Sequence, residues 1–527
     1  MSANAPFATA SSPNLPLSRA VIISVLAASL MVGAFAISTQ SYWIDEATSL
    51  IVAMAQNPSE AWKYAQAVGG STIQMPLYHI YLYGWHKTFG GGEWTMRASN
   101  LPWLVLAQLA FLVVLRDKPR LALLAALLAA VSPTVWMYLD EARPYLLQYA
   151  AACWFIAAIV RSTTSSTAPG DDADRQAAFL FPALAIAAII LFGSSLLGVV
   201  WLAGFFCALL WLYLTPSHGT PAAIPKAVRA NLLLSVTFLA VIALLAIYYV
   251  WTWAEAGRGY HRAGASLVSL PYIAYEFLGF SGYGPGKLQL RSSIAGSLVH
   301  ALPALLPLAV IIVALVFFLF RQPVVRSIPR RTLVAWTLAL VLPSLLILTV
   351  FFVASYRPLP RHFIPALPAV ILALAALIDS ALARKNLVWR TVAILLPALW
   401  LGSALNLRLR EVHAKDDYRT ASALAAAALR DNKEVWWAAD SAAAHIYLTP
   451  IALEEIPGRA WAMQAPSWEN IRFKFPPRMI VISKPDIYDP QGSIARYAAE
   501  NRFVPALQLQ AFTIFVREGD SLPVVAP

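Results

Sequence analysis

Residues 20–47 read AVIISVLAASLMVGAFAISTQSYWIDEA, in which eighteen uncharged residues (20–37) lead through a short polar link and two aromatics to adjacent carboxylates, Asp45 and Glu46. An uncharged apolar run of that length crosses a bilayer core as a helix, which needs about 20 residues. It follows a Ser/Pro/Ala-rich tail with one Arg and shows no small-residue cleavage site, so it reads as a retained first span. Ten comparable runs follow, near 95–115, 121–138, 144–160, 178–192, 196–214, 231–252, 298–320, 332–354, 363–383 and 391–406. Together they predict an α-helical polytopic membrane protein with about 11 transmembrane helices.

Composition agrees. Across 527 residues, 59% are hydrophobic and 13% charged, which excludes an ordinary soluble enzyme. The net charge of +12 is uneven: residues 1–410 hold 27 Lys/Arg against 13 Asp/Glu, and residues 411–527 hold 12 against 14. The cationic excess therefore belongs to the membrane part, where the natural counter-ions are lipid head groups or a lipid phosphate, and nucleic acid is a poor partner. Cys153 and Cys207 both lie in apolar runs, so neither a disulfide framework nor a cysteine metal site is available.

Placing residues 1–19 in the cytoplasm puts Arg116/Lys118/Arg120, Arg161/Arg175, Lys226/Arg229, Arg321/Arg326/Arg330/Arg331 and Arg384/Lys385/Arg390 in short cytoplasmic loops, as the positive-inside rule requires. Loops 39–94 and 253–297 then face the opposite, external side, as do residues 407–527. That last segment has the composition of a small α/β domain, with a helix over Tyr418–Leu429 and strands at Glu434–Ala438, Met479–Ser483 and Phe512–Val516.

The chemistry-bearing residues gather on the external side. Asp45 and Glu46 stand beside Tyr42 and Trp43 at a membrane boundary, where a carboxylate can take a proton from a hydroxyl or open a helix as a favourable N-terminal charge. A second acidic pair, Asp140-Glu141, ends the third span and turns back through Arg143-Pro144-Tyr145, an arrangement that also serves as a purely structural turn. External cations, among them Arg97, Arg262, His261, Arg361 and His362, oppose the positive-inside trend, and an anionic phosphate at membrane depth gives them a reason. Snorkelling to lipid phosphate competes for any one of them. Gln74 to Leu82 and the aromatics after it form an apolar stretch too short to span, an interfacial helix carrying Tyr78 and His79. Loop 253–297 is rich in Gly and Tyr, including Tyr283, the composition of a loop able to order over a bound donor.

The ordered set of Asp45-Glu46, Pro76-Leu77-Tyr78, Phe89-Gly90 with Glu93-Trp94 and Arg97, Asp140 to Tyr145, and Arg361-His362-Phe363 resembles the GT-C superfamily of integral-membrane glycosyltransferases. Within it the chain is similar to the protein O-mannosyltransferase-like and lipid A aminoarabinose transferase-like branch (glycosyltransferase family 39-like). The resemblance covers residues 20 to about 400. It implies an inner-membrane enzyme of bacterial type that moves one sugar from a polyprenyl-phosphate donor, with inversion, to a glycolipid, polysaccharide or protein acceptor on the periplasmic side. It further implies that Asp45, with Glu46 and Asp140, carries the catalysis and that Arg97, Arg143, Arg262, Arg361, Tyr356 and His261 hold the donor phosphate. Tyr78, His79, Tyr283 and Glu141 would line the acceptor or sugar pocket. Aminoarabinose transferases have a Glu-Lys pair before the surface-helix proline, where this chain has Gln74-Met75, which speaks against that sugar and its metal site. No cofactor follows beyond a divalent metal cation that Asp45, Glu46 and His79 would have to hold. The rival class is a transporter or flippase of a lipid-linked sugar. Transporters place ionisable groups near the midplane, whereas here they collect at the external rim.

Overall fold

A computed structural model describes residues 17–164, 171–215, 231–256, 267–322, 328–453, 456–462 and 476–524. Each of the eleven apolar runs is helical. Among the described residues, eight helices are long and apolar enough to cross a membrane: Arg19–Ala36, Glu93–Val114, Tyr145–Thr163, Leu232–Trp253, Ile294–Phe320, Arg330–Val353, Pro360–Leu382 and Leu387–Leu409. The expected third span is a pair, Pro119–Val131 and Pro133–Leu139, bent by 56°. Ser132 makes the break, since its extended backbone ends one helix while its hydroxyl accepts from Val135 N at 3.4 Å to start the next. Two further apolar helices, Phe179–Ser194 and Gly198–Leu214, are shorter.

Outward faces are apolar too. Leu233, Val250, Trp251 and Val353 are strongly exposed, as side chains facing lipid should be. Small residues supply the inner contacts: Ala107, Ala125, Ala129, Ala152 and Ala375 are fully buried, so these helices approach closely.

Between the first span and Glu93 the chain folds into helices Ile44–Ala53, Pro58–Val68, Gly70–Ile73 and Pro76–Phe89. The last is the interfacial helix expected from the sequence. Asp45 and Glu46 occupy the first turn of Ile44–Ala53, where carboxylates favour a helix start, and Glu46 Oε2 accepts from Trp43 N at 3.4 Å.

After Leu409 the described residues form one six-stranded sheet: β1 Val435–Ala438, β2 Ile451–Ala452, β3 Ala460–Ala462, β4 Met479–Ser483, β5 Phe503–Leu509 and β6 Phe512–Arg517, in the order β2-β3-β1-β4-β6-β5. β1 and β4 pair in parallel and are buried on both faces, which is why VWWA and MIVIS run apolar without alternation. β6 pairs antiparallel with β4 and β5 and alternates buried with half-buried residues. Trp436 packs on Tyr497, with ring centroids 4.5 Å apart, while Trp437 joins Tyr418 and Phe512 on the opposite face. Helix Tyr418–Arg430 starts at Asp417, whose carboxylate accepts from Thr420 N at 3.1 Å.

Candidate active site

Consecutive residues of a helix point about 100° apart, so Asp45 and Glu46 cannot share an environment. Glu46 turns inward. Its carboxylate accepts from Arg97 Nε and Nη2, both at 2.8 Å, from Ala142 N at 2.9 Å and from Lys415 Nζ at 3.1 Å. Glu46 and Arg97 side chains are both 0% exposed. Arg97 gives its remaining donors to the carbonyls of Ser38, Gln40 and Ser41. A guanidinium closed off in this way has no face for a phosphate, and a carboxylate with this many donors has none for a substrate. The structure thus places Arg97, expected at the phosphate, and Glu46, expected in catalysis, in one buried clamp, which fastens the link 38–41 and the turn at 142 to the first-loop helix. Burial raises the Glu46 carboxyl, but the Arg97 and Lys415 charges outweigh it and hold the group down at about 2.

Asp45 turns outward and forms an ion pair with Arg361 Nη1, the two side chains 25% and 28% exposed. Arg361 is carried by the 3₁₀ turn Pro360–Ala366 that opens a late span. Arg143 is buried and holds the first turns of helix Ile44–Ala53 by donating to Asp45 O at 3.0 Å and Ser49 Oγ at 2.8 Å. Burial pushes the Asp45 carboxyl up, yet the charges of Arg361 and Arg143 and the Arg361 hydrogen bond prevail, so it lies below the usual carboxylate range. Asp45 is therefore ionised at neutral pH, half open, and beside two arginines.

Asp140 stands beside the Glu46–Arg97 clamp, with Arg97 Nε 3.9 Å from its Oδ1. Its oxygens accept from Ser38 N at 2.5 Å and Ser38 Oγ at 2.9 Å, and Lys415 Nζ stands 3.5 Å away. Glu141 is buried, with Lys287 Nζ 3.5 Å from Oε1, and its carboxyl is raised, first by burial. Lys287 also lies over the Trp43 ring, 4.6 Å from its centre.

Other expected residues stand elsewhere. Tyr78 is fully buried. His79 is closed onto Thr72 O at 2.8 Å, and burial lowers it to about 4. With His79 held there and Glu46 taken by Arg97, the three expected metal ligands do not converge, and no group of three His, Cys, Asp or Glu that could hold a metal exists among the described residues. Tyr283 donates to Leu399 O at 2.8 Å, on the helix Leu387–Leu409. Tyr356 packs edge-on against Phe351. His261 and Arg262 lie outside the described residues. The described part of the Gly/Tyr loop is seated: a Cβ on Gly282 would meet Ser403 O at 1.9 Å and one on Gly286 would meet Val412 O at 2.0 Å, so glycine is what lets this segment lie against its neighbours.

Two residues escaped sequence reading. Glu276, on the short helix Ser269–Phe277, is buried and accepts from Tyr138 Oη at 2.7 Å. Burial raises it to about 7, against the Tyr138 bond and the Lys287 charge. Its signal was present, as the only charge between Arg262 and Lys287. The second is Lys415, which enters from the C-terminal segment to meet Glu46, Asp140 Oδ2 and Asp140 O. Beside it Arg419 donates to Glu93 Oε1 at 2.6 Å and Thr39 O at 2.6 Å, and Tyr447 Oη accepts from Tyr42 N at 2.7 Å. The C-terminal region is thus a wall of the site.

No family model matches the chain, and no curated protein matches it in sequence. Among solved structures it is similar to ArnT from Cupriavidus metallidurans in the apo state, with TM-score 0.54 and 11% identity over 94% of this chain and 97% of that one. It is also similar to ArnT from the same organism bound to undecaprenyl phosphate, with TM-score 0.51 and 13% identity over 95% and 99%. The likeness is one of fold, extending over both the spans and the C-terminal region.

Proposed function

We propose that the protein is an inverting glycosyltransferase that moves a single sugar from a polyprenyl-phosphate donor to a lipid, glycan or protein acceptor at the periplasmic face of a bacterial inner membrane. The observation that carries this reading is the half-open Asp45–Arg361 pair backed by Arg143. A transfer of this kind needs a carboxylate to take the acceptor proton and cations to receive a departing phosphate, in one place. ArnT, whose fold this chain shares, has been seen with undecaprenyl phosphate, which supports a polyprenyl phosphate as the lipid.

The pair also suggests an order of events. Without donor, Arg361 neutralises Asp45 and keeps it a weak base. A donor phosphate competes for the guanidinium, and as Arg361 turns to it, Asp45 loses its counter-charge and gains proton affinity. The acceptor hydroxyl then gives its proton to Asp45 as its oxygen attacks the anomeric carbon, and the bond to the phosphate oxygen breaks with its electrons on the phosphate. The charge left there falls to Arg361. The test is transfer of labelled sugar from a panel of polyprenyl-phosphate donors to membrane acceptors by purified protein and by Asp45→Asn. Wild-type transfer with an inactive variant is expected; full transfer by the variant, or none by wild type from any donor, overturns the reading.

A further inference from the structure

A cavity of about 120 Å³ opens where the acidic turn 140–141, the segment 272–290, the end of helix Leu387–Leu409 and residues 412–416 meet. Asp45 does not line it, but Trp43 does, and so does Lys287, whose charge acts on Asp45. It is therefore a neighbour of the proposed reaction centre and distinct from the arginines there.

Its lining sets the class of occupant. Four carboxylates face it, from Asp140, Glu141, Glu276 and Asp416. The cations among them are engaged: Lys287 with Glu141, Lys415 with Glu46 and Asp140, and Arg408 with Phe35 O at 3.2 Å. A phosphate here would find each cation already held by a carboxylate or a carbonyl, Lys484 by Asp416 included, and an acyl or prenyl chain would strip water from ionised groups without replacing it. A neutral polyol meets neither objection, because its hydroxyls donate to carboxylate oxygens and need no free cation. One wall is aromatic: the Tyr272 and Tyr275 rings lie 17° from parallel with centroids 6.0 Å apart, and Tyr275 continues to Phe280 at 5.9 Å and 17°. Such a surface suits the C–H face of a sugar ring. Helix Ser269–Phe277 carries Tyr272, Tyr275 and Glu276 together, so one element presents both the stacking wall and a carboxyl.

Resting on the transferase reading above, we propose that this cavity is a carbohydrate subsite, which seats a sugar ring against Tyr272 and takes its hydroxyls on Glu141 and Glu276. Glu276, held near neutrality by burial, is suited to a ligand that both donates and accepts hydrogen bonds. The ring belongs either to a glycan-bearing acceptor or to the donor, and the two sources differ in what displaces it.

The test needs no turnover. Saturation-transfer NMR on the full-length protein in detergent, with methyl glycosides of hexoses, hexosamines and pentoses, should show at least one binding. Tyr272→Ala and Glu276→Gln should each weaken it about tenfold or more, as expected when a ring contact or a charged hydrogen bond is lost, and Tyr272→Phe should keep it. Should Glu276→Gln fail to fold, the Tyr272 pair decides. Adding the same sugars as farnesyl-phosphate glycosides leaves the signal if the site serves the acceptor and abolishes it if it serves the donor; both outcomes support the subsite. Absence of any glycoside signal, or affinity unchanged in the variants, overturns it, while the transferase reading stands or falls separately on the transfer assay.

Discussion

Asp45 and Glu46 are adjacent, lie on one helical turn and each face an arginine, yet their pairs differ in kind. Glu46 and Arg97 are sealed from water and saturated with partners, whereas Asp45 and Arg361 are each about a quarter exposed and have capacity to exchange partners. A saturated dry pair resists rearrangement, because breaking it strands a charge in the interior. An open pair can exchange one partner for a substrate at little cost. The comparison separates a scaffold carboxylate from a reactive one where residue type and position give no distinction.

The largest expected effect lies on the sealed side. Arg97→Ala leaves Glu46 buried with only the lysine as counter-charge, a loss of about 3–5 kcal/mol. Such a variant should be recovered aggregated or with a much lower melting temperature, and a variant as stable as wild type would break the distinction. On the open side, Asp45→Asn should keep the melting temperature within a few degrees, since a partly exposed pair contributes about 1 kcal/mol or less. It should nonetheless lower sugar transfer by about 10²–10⁴, the usual contribution of a positioned base. Equal losses of stability in the two variants would erase the contrast.

Titration sharpens it. Glu46 is held at about 2 against an ordinary 4.5, so it stabilises the fold fully above pH 4.5 and loses that contribution as pH falls towards 2, roughly 3 kcal/mol in all. Glu276 is raised to about 7, so its contribution is complete below pH 4.5 and declines as pH rises through 7. Thermal melts between pH 4 and 8 should therefore show a decline with rising pH that Glu276→Gln reduces. A decline that persists unchanged in that variant would assign it to another group.

The fold was far more legible than the site. Spans depend on runs of one residue class, and each of the eleven runs became helix, because lipid and core reward the same composition. Strands β1, β4 and β6 lie within a residue of their expected ends, as unbroken or alternating apolar runs. β5 went unseen since its exposed residues and Pro505 dilute the pattern, and β2 and β3 are too short to carry one. In the site, the element that cannot be read is pairing: Asp45 meets Arg361 across 316 positions and Lys415 meets Glu46 across 369. Nor does the sequence say which of two adjacent carboxylates turns inward, which depends on what the helix packs against. Lys415 lies in a region with balanced charge and no motif, so nothing local marks it.

Arg361→Ala should have a smaller effect and one confined to the donor. Losing one charged contact to phosphate is worth about 1.5–3 kcal/mol, a rise of about tenfold to a hundredfold in the donor concentration for half-maximal rate. An unaltered donor dependence would remove Arg361 from the phosphate site.

The smallest expected effect tests whether the C-terminal region belongs to the sealed pair. Lys415 is the ligand of Glu46 that does not come from the membrane part or its first loops, and it also reaches Asp140, so it ties the two acidic segments to residues beyond the last span. Lys415→Met leaves Glu46 with Arg97 and the Ala142 amide, so the carboxylate is not stranded and the loss should be about 1.5 kcal/mol, below that of Arg97→Ala. The link 38–41 and the turn at 140 would still be fastened to Arg97, but their relative position would lose one restraint. Sugar transfer should therefore fall by about tenfold in rate with the donor requirement unchanged, and Lys415→Arg should restore most of it. Donor dependence that changes instead would place Lys415 with the phosphate, and wild-type rate and stability would make the C-terminal region a passive neighbour of the clamp.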